Sequence, residues 1–155
     1  MRRGARPFPT DGPADDSGNA VVEFLGLALV LMVPLVYLVL VLGRLEAATF
    51  AAEGAAREAA RTYVAADTAE EGSARAGAAA GIALRDQGFE DDPVDALSLQ
   101  CSTTPCLEPG SDVAARIDLT VPLPFVPAFV RRVVPLEVSV SAERVAPVDA
   151  YRARG

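Results

Sequence analysis

Hydropathy changes texture sharply along the chain. Residues 1–18, MRRGARPFPTDGPADDSG, are polar and punctuated by proline and glycine, a composition that predicts disorder. Residues 24–43, FLGLALVLMVPLVYLVLVLG, carry no charge. At roughly 1.5 Å per helical residue such a run crosses a hydrocarbon core of about 30 Å, which predicts a transmembrane helix over residues 19–43. Pro34 lies inside it, where the missing backbone donor predicts a kink of a kind that membrane helices tolerate. Beyond Arg44 the helical pattern continues in polar company to residue 66, so residues 20–66 read as one rod roughly 70 Å long. Alanine pairs recur at Ala47-Ala48, Ala51-Ala52, Ala55-Ala56 and Ala59-Ala60. A four-residue repeat drifts by about 40°, so the pairs make a slowly winding stripe of small side chains. Such a stripe admits close approach of another backbone, or it reflects only that alanine is the best helix former. Glu53 and Arg57 are spaced as an i,i+4 ion pair on another side of the rod.

Thr68, followed three residues on by Glu71, reads as a capping box opening a second helix. That helix should run to Gln87 and stop at Gly88, although Gly72, Gly77 and Gly81 weaken it. The pattern then changes period. Val113, Ala115, Ile117, Leu119, Val121 and Leu123 alternate with polar or small residues, as do Leu136, Val138, Val140 and Ala142. Both are strands with one dry and one wet face, and residues 96–101 offer a shorter third. The connecting segment, residues 122–135, is proline-rich; Pro127 suits the first turn of a short helix. Phe125, Phe129 and Val130, next to Arg131-Arg132, either cap a small core or face a membrane or a partner. The pattern therefore predicts an α+β fold: a long N-terminal helix, half in the membrane and half in water, a second helix, and a small antiparallel sheet packed on the helix. The expected divisions are a leader at 1–18, a membrane helix at 19–43, a helical region at 44–88 and a β domain at 89–155.

Composition narrows the chemistry. The chain has 155 residues, a net charge of −7, no His and, among its 14 cations, only Arg. The acidic balance argues against a nucleic-acid partner. Without His the commonest general base and metal ligand is missing, and without Lys so are Schiff-base chemistry and the phosphate-loop motif. No nucleophile–base pair is visible, so no catalytic role, metal or cofactor is expected. Cys101 and Cys106 bracket Ser-Thr-Thr-Pro, which is neither a zinc set nor a C-x-x-C redox motif. A local disulfide is the expected state, and it requires an oxidising compartment outside the cytoplasm.

Glu23 is the acid at the doorstep of the apolar run, five residues after Gly18. A carboxylate near a helix N-terminus meets unpaired amide donors and the positive end of the macrodipole. At the membrane boundary it also costs less than at mid-bilayer. A secretory signal peptide fits this region less well: an acidic linker separates Arg2-Arg3 from the apolar run, and that run is too long.

Gly18-Asn19-Ala20-Val21-Val22-Glu23-Phe24 resembles the class III signal of type IV pilins and pseudopilins. With AVVEFLGLALVLMVPL and GRLEAATFAAEGAAREAARTY behind it, the segment over residues 18–66 is similar to TadE-like minor pseudopilins of tight-adherence (Flp-type) pilus systems. That resemblance implies cleavage by a prepilin peptidase between Gly18 and Asn19. It also implies pairing of Glu23 with the freed ammonium of Asn19, on the same or a neighbouring subunit. At about 4 Å and an effective dielectric near 20, the attraction is of order 4 kcal/mol before desolvation. One departure is Asn19, which stands where classical type IV pilins usually carry a methylatable Phe. The partners implied are the membrane, other pilin subunits, the peptidase and an assembly platform. The N-terminus would be cytoplasmic and the C-terminal domain extracytoplasmic. The alternative is an uncleaved, signal-anchored surface protein with a small binding domain.

Overall fold

A computed structural model describes residues 17–126 and 136–152 of the chain. Residues 1–16, which hold most of the expected leader, and Pro127, Phe129, Val130 and Arg131-Arg132 lie outside the described residues. The fold is α+β, with two compact units, residues 1–39 and 40–155.

The first unit holds the opening part of α1, Ser17–Val64, and the helix continues unbroken through Pro34. Its large apolar side chains, among them Phe24, Leu31, Met32 and Val39, are exposed. A helix that is apolar all round and uncovered has the character of a membrane span rather than of a core helix. Among the described residues this is the one helix long and apolar enough to cross a membrane, and its place near the N-terminus suits an anchor or a signal segment.

The second unit is built on the rest of α1. Ala48, Ala51, Ala52, Ala55, Ala56, Ala59 and Ala60 are buried and belong to one core with the sheet and the second helix. The alanine ladder is thus a packing face used within the chain itself. A methyl group is all that separates the helix backbone from its cover, which explains how a core so poor in aromatics closes. The other side of the helix stays open, with Phe50 70% exposed.

Helix α2, Ala69–Asp86, begins where the capping box predicts. The Glu71 N–H donates to Thr68 Oγ1 at 3.2 Å, while the Glu71 carboxylate accepts from the Asp67 N–H at 3.3 Å, one residue earlier than the motif requires. Its end is a Schellman turn: the Gly88 N–H donates to Arg85 O at 2.9 Å and the Phe89 N–H to Leu84 O at 3.0 Å. Gly88 takes φ +74°, and Phe89 and Leu84 are both buried, giving the apolar contact that accompanies this turn. Two of the glycines that weaken α2 as a sequence have structural reasons. A Cβ on Gly72 would stand 3.0 Å from a Tyr63 ring carbon and 3.1 Å from the Tyr63 carbonyl, and one on Gly81 would stand 3.1 Å from Pro93. Gly77 has open space.

A one-turn helix, α3 (Pro93–Ala96), was not anticipated by the sequence pattern; Asp92 caps it and Pro93 opens it. The short strand therefore starts one residue later than expected. Strand β1 is Leu97–Cys101, β2 is Asp112–Pro122 and β3 is Glu137–Pro147, in the antiparallel order β1-β2-β3. The register pairs Ile117 with Leu97 on one side and with Ala142 on the other. Val113, Ala115, Ile117, Leu119 and Val121 all point into the core, as their alternation predicts.

Candidate functional site

The Gly18–Asn19 bond falls in the first turn of α1. Glu23 is exposed and lies beyond that turn, which contains no acid. The amide donors left free at the start of α1 belong to residues ahead of Glu23. Pro34 sits among exposed apolar neighbours of the same helix, including Leu31, Val33, Leu35 and Leu38.

Cys101 and Cys106 form a disulfide with Cα atoms 5.5 Å apart. The bridge closes the turn leaving β1. Ser102 ties that turn to β2 twice: its N–H donates to Asp112 O at 2.9 Å, and its Oγ accepts from the Asp112 N–H at 2.8 Å. The buried Tyr63 hydroxyl lies 3.8 Å from Cys101 Sγ, so the bridge also leans on α1. Both sulfurs are bonded, and the pair acts as a staple.

Three arginines join elements, and none was singled out as a tie by sequence reasoning. Arg44 places its guanidinium 4.1 Å from the Phe89 ring centroid and donates to Gly88 O at 3.3 Å, where the carbonyl end of α2 is negative. Arg152 donates from Nη1 to Val64 O at 3.0 Å and from Nη2 to Ala66 O, occupying carbonyls that α1 leaves free at its end. Arg144 meets Glu53, Nη2 to Oε2 2.9 Å, so Glu53 pairs across to β3 and not with Arg57 on its own helix. The i,i+4 spacing was a sound local signal, but a cation on the inner face of the sheet lies in better reach. Arg116 is bound by both carboxylate oxygens of Asp118 at 3.0 and 3.2 Å; that hydrogen bonding, with the charge of Asp118, raises its pKa above the ordinary value.

Among the described residues no three His, Cys, Asp or Glu side chains gather where a metal ion could sit, and no buried side-chain polar atom lacks a hydrogen-bond partner. An open groove of about 370 Å³ between α2 and α3 is lined by Ile82, Pro93, Val94 and small residues of α2, with Ser73 and Arg85 as its polar side chains. It is mostly apolar and wide open to solvent, unlike the concave sites that bury most of a small ligand. No family model matches the chain, no curated protein matches its sequence and no solved structure matches its fold.

Proposed function

We propose that the chain is a minor pseudopilin, an assembly subunit of a TadE-like type IV pilus or related secretion system. In this reading a prepilin peptidase cuts after Gly18, and the N-terminal helix holds the product in the cytoplasmic membrane with the disulfide-bearing unit outside. One observation carries the reading: α1 leaves its large apolar side chains without cover in the chain itself, directly behind Gly18 and Glu23. Such a surface needs lipid or neighbouring helices. The disulfide supports the extracytoplasmic side, because such bonds persist in oxidising compartments.

N-terminal sequencing of the protein recovered from its own membrane tests the cut. Asn19 as first residue is the expected result; Met1 retained in the presence of active peptidase overturns it. Assembly is tested by Glu23→Ala, which should lower incorporation into the pilus or pseudopilus by tenfold or more, about the effect of losing 1.4 kcal/mol, with membrane insertion unchanged. Unaltered piliation or secretion counts against the pairing role.

The second reading, an uncut signal-anchored surface protein, has one observation in its favour. The Gly18–Asn19 bond is already helical, whereas proteolytic sites concentrate in exposed loops. Retention of residues 1–18 in the mature protein is its signature.

A further inference from the structure

The outer edge of β3 is an unfilled half of a hydrogen-bond ladder. In the β2–β3 register Leu123 stands opposite Leu136 and Ser111 opposite Val148, and these pairs are bonded: the Leu123 N–H donates to Leu136 O at 3.1 Å and the Val148 N–H to Ser111 O at 2.8 Å. Antiparallel bonding alternates, so the even-numbered residues of β3 turn their N–H and C=O groups toward β2. The odd-numbered residues turn theirs away. On that free side stand the N–H groups of Glu137, Ser139, Ser141, Glu143 and Val145, and Pro147 closes the row. Among the described residues no backbone group pairs with them; only the Glu143 carbonyl is engaged, by Arg144 Nη1 at 2.9 Å.

Sheets guard so long an edge with charged side chains, lysine above all, with proline, a bulge or a covering element, and of these β3 has Glu137, Glu143 and the terminal Pro147. Here the register runs through all eleven residues of β3 without a bulge, and the chain has no lysine. The side chains flanking the free N–H groups on the same, wet face are Glu137, Ser139, Ser141, Glu143 and Val145, all exposed. Behind them on β2 lie Asp112 and Asp118, with the single cation Arg116 held by Asp118 and standing directly opposite Glu143. The edge therefore joins open backbone donors to a face on which carboxylates outnumber cations.

We propose that the β3 edge is a strand-addition site for an extended basic segment of a partner protein. Backbone pairing supplies the attraction, and alternate side chains supply the choice of partner. Glu137 and Glu143 are six residues apart on one face, so the fitting strand carries two cations with that same separation and apolar residues on its other face, beside Val138, Val140 and Ala142. A second copy of β3 fits worse. Laid antiparallel over its full length it places Glu143 diagonal to Glu143 and brings no cation to the wet face; laid parallel it sets Glu against Glu. The proposal stands on the sheet alone and is independent of whether the leader is cut.

The test uses the full-length chain in detergent micelles with the synthetic peptide Arg-Val-Thr-Val-Thr-Val-Arg, followed by residue-resolved amide hydrogen exchange. Peptide should slow exchange at Ser139, Ser141 and Glu143 by about tenfold or more, while Val140 and Ala142, already bonded to β2, stay as they were. Ser141→Pro removes one outward N–H that β2 does not use, so it should abolish the protection with Val140 and Ala142 unchanged. Should that variant misfold, Glu137→Gln with Glu143→Gln leaves the backbone intact and should weaken peptide binding by about fivefold, more at low salt. Three results overturn the proposal: no protection at the odd-numbered amides, equal binding of the peptide with Glu in place of Arg, or concentration-dependent protection without peptide. The last would assign the edge to a second copy.

Discussion

At the scale of single residues, the tightest constraint is Gly72 against Tyr63. A Cβ at 3.0–3.2 Å from the ring and the carbonyl must displace atoms that the core holds in place. Gly72→Ala should therefore cost about 1–3 kcal/mol despite the gain in helix propensity. Gly77→Ala meets nothing and should stabilise by up to about 1 kcal/mol. Urea denaturation of the two variants side by side checks the sign of each. Arg152 is the second sensitive residue. Arg152→Ala removes two charged hydrogen bonds from the end of α1 and should cost about 1–2 kcal/mol in the same assay, with faster amide exchange in the last turn of that helix.

At the scale of elements, the seam between α1 and the sheet decides stability. Ala55 and Ala56 are fully buried, so Ala56→Leu forces a larger side chain into a gap one methyl deep and should destabilise by about 1–3 kcal/mol, visible as a lowered urea midpoint. The elements themselves were largely legible in the sequence. Period-two alternation marked β2, whose dry face matches from Val113 to Val121 while the expected Leu123 falls just past its end, and Thr68 and Gly88 marked the ends of α2 because caps are local chemistry. The one-turn α3 escaped because four residues carry no period, and its only sign was Asp92 ahead of Pro93. The alanine ladder was ambiguous for a related reason: helix propensity and close packing ask for the same residue, and only the partner surface separates them. The Arg144–Glu53 pair and the open edge of β3 were illegible because both depend on which strands end up adjacent.

At the scale of the whole molecule, the unit of residues 40–155 carries its own core, its sheet and its disulfide. A fragment of residues 40–155 should accordingly be soluble without detergent and unfold cooperatively, as circular dichroism against temperature would report. In that fragment, Cys101→Ser with Cys106→Ser should lower stability by about 2 kcal/mol, the modest value expected for a short closed loop. Gly18, Asn19 and Glu23 were read as a motif from the sequence, and the proposed cut and pairing are events that the geometry of a single chain does not display. The buried alanines of α1 carry one more consequence. Since nothing bulkier than a methyl is admitted there, a library randomised along that strip and selected for folded product should return almost monotonous sequence. The same library on the wet side of β2 should tolerate nearly any alphabet.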